Sequence, residues 1–238
     1  MLQQNKIHRI FINSVIVIGD NIVADTYVTN HIKNVLRMKN NQDIKIFNGD
    51  GGEYLSKIQY ENKRLIIRPV EESRRISRDT HKILLAQCIS NSKSMDLAIQ
   101  KSSELGVDEI IPIISSRSHP GKHDKRISHW NKIIIHAVEQ SNGLYLPALN
   151  NIISLEDFLS EQKNDKTFKI CFNTTGRKIE VSDKSHKSYT ILIGPEGGFD
   201  NEELDLIKNN NWNIISLGDR IFRTETASIV AQTILRGF

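Results

Sequence analysis

The apolar positions of this chain fall into two textures. Up to about residue 71 they form short, closely spaced runs at 8–12, 15–18, 22–24, 43–47, 53–60 and 64–70, rich in β-forming residues. One helix-like segment interrupts them at 31–38, and Asn48-Gly49-Asp50-Gly51-Gly52 makes a turn. Short strands with Gly and Asn turns predict a small barrel or folded sheet. Residues 71–78 are charged and aperiodic and read as a linker, so the domains are expected at 1–71 and 72–238.

The second texture alternates strand-like and helix-like periods. A strand at 83–88, a helix at 95–105 ended by Gly106 and a strand at 109–114 make a βαβ pattern, which implies a parallel sheet. A polar loop (115–128), a long helix (129–140), a short helix (155–159) and a strand (168–172) follow. From 191 to 231 the order is strand, glycine turn, helix, strand, second turn, helix. The two turns are Gly194-Pro195-Glu196-Gly197-Gly198 and Leu217-Gly218-Asp219-Arg220, each just after a strand. In a parallel sheet ligands settle beyond the carboxyl ends of the strands, so both turns are expected to line one pocket. Glycines permit positive φ and close backbone approach, and Pro195 stiffens its turn. Asp200 with Glu203 reads as a capping box. Thr224 is expected to be the N-cap of the last helix, with Glu225 in its first turn.

Charge and cysteine usage narrow the picture slightly. The net charge is +4 and the pI about 9.0, a basic excess that permits an RNA partner. Lys and Arg outnumber the acids in the first 71 residues, and Arg9, Lys33, Arg37 and Lys39 form a candidate phosphate-binding set there. The only cysteines, Cys88 and Cys171, sit in apolar runs, which suits a reducing compartment and not a disulfide framework. The polar start and the lack of a long apolar run predict a cytoplasmic protein with no membrane span. His119 and His123 are separated by Pro120 and Gly121, so no metal site is expected. No G-x-G-x-x-G follows a strand and no P-loop occurs, which removes the usual dinucleotide and NTP fingerprints.

GPEGGF followed by LGDRIFRTETA closely resembles the C-terminal signature of the bacterial RsmE family of the SPOUT superfamily. Gln87, Met95-Asp96, the run from Gln100 to Val107, Arg117, Trp130 and the run from Ala137 to Ser141 resemble it more loosely, and the match before residue 70 is weaker still. The resemblance implies an S-adenosylmethionine-dependent 16S ribosomal RNA (uracil-N3)-methyltransferase. The implied architecture is a SPOUT-type α/β domain with a C-terminal trefoil knot, preceded by a PUA-like, OB-type β-barrel that binds RNA. It also implies a homodimer acting on the small ribosomal subunit. Three features depart from the family: Asn142-Gly143-Leu144-Tyr145-Leu146 stands where arginines are usual, Asp219 where proline is usual, and Phe222 where an aliphatic residue is common.

Read with that resemblance, the cofactor set is Phe172, Asn173 and Thr174 at one strand end and Ile193 through Gly198 (Ile193, Gly194, Pro195, Glu196, Gly197, Gly198) at the next. At the third it is Ser216, Leu217, Gly218, Ile221, Phe222 and Arg223, then Thr226 and Ala227. Methylation at uracil N3 requires loss of the N–H proton and stabilisation of charge on the ring oxygens. Arg223 is the candidate for the second role, and Glu196 or Glu225 for the first. The competing view of Arg223 is an ion pair with Glu225 or Glu196 that only fixes the turn. Arg117 is a further candidate for RNA binding. Rival functions are a SPOUT enzyme acting on ribose 2′-hydroxyl or another base, and a non-catalytic RNA-binding or ribosome-assembly factor.

Overall fold

A computed structural model describes residues 7–62, 64–118 and 126–237. The chain divides into two compact units: Met1–Arg78 with Val138–Tyr145, and Asp79–Ala137 with Leu146–Phe238. The pair His119 and His123, with Lys122 and Lys125, lies outside the described residues.

The first unit holds β1 (Arg9–Phe11), β2 (Ile22–Val23), α1 (Thr26–Asn30), β3 (Asp43–Phe47), β4 (Gly52–Glu61) and β5 (Arg64–Arg75). They form one five-stranded sheet in the order β1-β3-β4-β5-β2, antiparallel except for the β1–β3 pair. Its inward face buries Ile10, Ile44, Ile46, Ile58, Leu65 and Ile67 against Val28 and Ile32, each worth roughly 1.5–3 kcal/mol of transfer free energy.

Three expectations change here. The apolar run 15–18 is not a strand: only Ile16 enters the core, while Val15 is 80% exposed. Gly19, at φ +89, ties the loop to the Pro69 carbonyl without a ladder. The helix begins earlier, because Asp25 caps it by accepting from Val28 N at 2.7 Å, and a π turn over His31–Val35 follows. The charged run read as a linker continues β5 to Arg75, paired with β4 as far as Gly52. Glu71, Glu72 and Arg75 face solvent on this edge-like extension while Arg74 is half-buried beside Glu53, so periodicity carries no burial signal.

In the second unit β6 (Lys82–Cys88), α2 (Ser92–Glu104) and β7 (Glu109–Ile114) build the expected βαβ unit, with Gly106 at φ +76 just past the helix end. Then come α3 (Arg126–Gln140), β8 (Ala148–Leu149), β9 (Ile153–Ser154), α4 (Leu155–Glu161), β10 (Phe168–Lys178), β11 (Ser188–Ile193), α5 (Asn201–Asn209), β12 (Asn213–Ser216) and α6 (Thr224–Arg236). The parallel sheet runs β12-β10-β11-β6-β7-β8, with β9 also on β7. Its central strands bury both faces, hence the near-continuous apolar runs of β6 and β11. β8 and β9 span two residues each, too short to leave a periodic trace.

Candidate active site

The parallel register decides where the site lies. Phe172 of β10 pairs with both Ile193 of β11 and Ile215 of β12, so β11 and β12 end close to the level of Phe172, while β10 runs on to Lys178. Past Phe172 the β10–β12 register shifts until Arg177 meets Ile215, so residues 173–176 leave the ladder. A cavity of about 430 Å³ opens above these ends, within the usual size of a small-molecule site. Its walls are the middle of β10 (Phe172 to Thr174), where the sequence predicts a strand end, the glycine turn from Ile193 to Phe199, and the second turn with the start of α6.

Most of the expected cofactor positions fall on these walls: all three strands contribute, together with Ile221, Phe222, Arg223 and Ala227. Gly218, Glu225 and Thr226 are not part of the wall, whereas Phe199, Arg220 and Thr224 are.

Each turn is held by specific bonds. Gly198 sits at φ +66 and Gly218 at φ +127, conformations that L side chains rarely adopt. Gly198 N donates to the Pro195 carbonyl at 2.9 Å. Asp200 and Glu203 form the expected capping box: Asp200 Oδ1 accepts from Glu203 N at 2.9 Å, and Glu203 Oε2 from Asp200 N at 3.1 Å. The loop after β7 clasps this box, since Ser116 N donates to Glu203 Oε1 (2.7 Å) and Ser116 Oγ to Asp200 Oδ2 (2.8 Å). The backbone N–H of Glu203 and the Ser116 hydroxyl hold the Asp200 carboxyl below the usual carboxylate range. Arg117 donates from Nη1 to the Gly197 carbonyl at 2.9 Å. In the second turn Gly218 N donates to Ser216 Oγ at 3.2 Å.

The start of α6 differs from expectation. The N-cap is Arg223, which makes no side-chain cap bond. Thr224 occupies the first helical position and donates its hydroxyl to the Gly194 carbonyl at 2.7 Å instead. Glu225 is buried, because it shares a helix face with Ser228 and Gln232, the stripe that packs towards α2. The Arg223 side chain is exposed and has no hydrogen bond or ion pair among the described residues; the turn-fixing pair with Glu196 or Glu225 is not formed. Glu196 is exposed on the cavity wall, with one oxygen taken by Asn91. Cys88 and Cys171 are fully buried, which pushes both thiols up and leaves no thiolate nucleophile near the strand ends.

The comparisons with known proteins agree on one assignment. A family model for the RNA methyltransferase domain matches residues 77–236, and one for the RNA methyltransferase PUA domain matches 28–69. Ribosomal RNA small subunit methyltransferase E of Rickettsia conorii is 33% identical over 230 residues, covering 95% of this chain and 93% of that protein. The protein of the same name from Mesomycoplasma hyopneumoniae is 34% identical, with 95% and 97% covered. The chain belongs to the ribosomal RNA small subunit methyltransferase E family. A methyltransferase from Legionella pneumophila solved with bound S-adenosylmethionine superposes with a TM-score of 0.89 at 30% identity, covering 98% of each chain. A family member from Neisseria gonorrhoeae bound to S-adenosylmethionine gives 0.88 at 29%, covering 97% of each.

The PUA match, residues 28–69, falls within the first unit, whose cations are of two kinds. Lys33, Arg37 and Lys39 are exposed around the π turn. Arg9 is 12% exposed at its side chain. Its guanidinium donates to Glu53 Oε1 (2.7 Å) and to the carbonyls of Val138 (3.1 Å), Glu139 (2.7 Å) and Gly143 (2.6 Å), and lies over the Phe47 ring. Burial alone would raise the Glu53 carboxyl; hydrogen bonds from Lys45 and Arg9 reverse that and hold it low. Nothing in the spacing of Arg9 separates this buried hub from a surface cation.

Proposed function

We propose that the cleft binds S-adenosylmethionine and that the chain methylates N3 of a uridine in 16S ribosomal RNA. The observation that carries this reading is the convergence of the ends of β11 and β12, the register shift of β10 and two glycine turns on one cavity of about 430 Å³. That cavity suits an adenosyl group. It pairs apolar surface from Phe172, Ile193, Leu217 and Phe222 with turn backbone that carries no Cβ at Gly194, Gly197 and Gly198. Turns of this kind replace the absent dinucleotide and phosphate fingerprints, because adenine and ribose are recognised by backbone N–H and C=O groups. When bound, the sulfonium supplies an electrophilic methyl group.

The protein supplies alignment, a proton acceptor and charge stabilisation. Glu196 is the better acceptor of the two glutamates, since it faces the cavity while Glu225 is buried outside the wall. Its Oε2 takes the N3 proton while Oε1 stays with Asn91. Arg223, exposed at the lip, stabilises the negative charge that develops on O2 or O4 of the ring. The PUA domain positions the RNA, with Lys33, Arg37 and Lys39 on phosphates; Arg117, engaged with Gly197, tunes the turn and its nearest phosphate. The reading includes a cytoplasmic homodimer and the knotted C-terminal threading that the family resemblance implies. No helix among the described residues is long and apolar enough to cross a membrane.

The test is methyl transfer from labelled S-adenosylmethionine to small-subunit RNA, followed by nucleoside digestion and mass spectrometry. The expected product is 3-methyluridine. Ribose 2′-O-methylation would overturn the base assignment, and no cofactor binding by the folded protein would favour a non-catalytic factor. Sedimentation of the purified protein reads the dimer.

A further inference from the structure

Gln87 lies near the end of β6, one strand away from the cavity, and is fully buried. A buried amide must find partners for both ends, and here one of the partners, Thr224, lines the cavity. Its Nε2 donates to Thr224 Oγ1 at 2.9 Å and to the Cys88 carbonyl at 3.1 Å. Its Oε1 accepts from Ser228 Oγ. Thr224 Oγ1 in turn donates to the Gly194 carbonyl at 2.7 Å. One uninterrupted chain therefore runs from β6 through α6 to the first residue of the glycine turn. Behind it Gln232 Nε2 donates to Ser102 Oγ of α2 at 2.6 Å and to the Ser228 carbonyl at 3.0 Å, so α6 is braced along the same polar stripe.

An apolar side chain at this position of β6 would fill the space equally well for packing. The amide does something packing does not: through Thr224 it fixes the separation between the glycine turn and the start of α6. Both line the cleft. We propose that Gln87 is a positioning residue that sets the width of the cofactor cleft, acting through the Thr224 hydroxyl on the Gly194 carbonyl. This inference rests on the cofactor reading given under Proposed function.

The chemistry makes the inference testable without collapse of the fold. If Gln87 becomes Met, similar in length but unable to hydrogen-bond, Ser228 Oγ still has the Thr224 carbonyl at 3.0 Å, while the Thr224 hydroxyl loses the amide donor that holds it on the Gly194 carbonyl. Only acceptor capacity is left unused, which a fold tolerates better than an orphan donor. The experiment is calorimetry of the full chain with S-adenosylmethionine for Gln87→Met, Thr224→Val, their double variant and Thr224→Ser, with thermal melting of each.

We expect each of the first two to weaken binding by about tenfold, the double to be no weaker than the worse single, and Thr224→Ser to bind as wild type. Single variants that bind like wild type, or effects that add in the double, overturn the inference. A wild-type chain that does not bind the cofactor overturns the functional reading instead, so the two failures are distinct. If Gln87→Met melts before it can be measured, Thr224→Val against Thr224→Ser decides alone. Those two differ in whether the hydroxyl bridge to Gly194 exists.

Discussion

Asn91 and Glu196, 105 residues apart, share one oxygen: Glu196 Oε1 accepts from Asn91 Nδ2 and, at 3.4 Å, from the Asn91 backbone N–H. The same asparagine caps α2, its Oδ1 accepting from Lys93 N (3.0 Å) and Ser94 N (3.1 Å). The glycine-turn carboxylate is thereby docked on the positive end of a helix, with its second oxygen left for the cavity.

Glu196→Gln keeps an oxygen for Asn91 but removes the proton acceptor. We expect cofactor affinity within about threefold of wild type, and turnover lower by roughly 10²–10⁴-fold. Calorimetry and single-turnover methyl transfer check this; undiminished turnover would reduce Glu196 to a turn anchor.

The Arg223 side chain has no partner among the described residues to lose, so Arg223→Ala is expected to leave the melting temperature nearly unchanged, as surface substitutions do. Turnover is expected to fall by about 10²–10³-fold with cofactor binding retained. A parallel drop in cofactor affinity would assign the guanidinium to binding.

Gly218 lies at φ +127 with nothing within 4 Å of a built Cβ. Gly218→Val is therefore a test of backbone strain without a steric clash, of order 1–3 kcal/mol. The turn is expected to shift and cofactor affinity to fall. Retained affinity would remove this turn from the cofactor wall.

The Asp183 carboxyl is held below its ordinary value of 3.8, first by the Arg177 guanidinium, which its two oxygens accept at 2.6 Å each, and despite burial. A carboxyl with a depressed folded pKa stabilises above its unfolded value and loses that contribution as pH falls through the folded one. Urea unfolding is expected to show stability falling below about pH 4, with a shallower slope in Asp183→Asn. Identical slopes for both proteins would contradict the linkage.

Neutralising Lys33, Arg37 and Lys39 together is expected to weaken RNA binding uniformly across sequences. It should also flatten the salt dependence, by about one unit of log–log slope for each phosphate that no longer meets a cation. Filter binding between low and moderate salt measures it. An unchanged slope would move the RNA surface elsewhere.

Much of the catalytic unit was legible in the chain itself. Continuous apolar runs, the Gly106 stop, the Asp200–Glu203 box and two glycine turns after strands are local signals, set by backbone conformation and hydrogen bonding within a few residues. They were enough to bring Phe172, Gly194 and Leu217 to one cavity. What only the tertiary structure decided is which polar groups are spent. Arg9 and Arg223 are both arginines beside Ile-Phe or Phe, yet one lies buried on carbonyls more than a hundred residues away and the other stands in solvent. Glu196 and Glu225 likewise part company, because a helix stripe against α2 buries the second. Gln87 reads as a lone polar residue in a strand until Thr224 and Ser228 meet it from the end of the chain. Partners at such separations leave no periodicity, and desolvation is a property of the packed whole; sequence spacing carries neither.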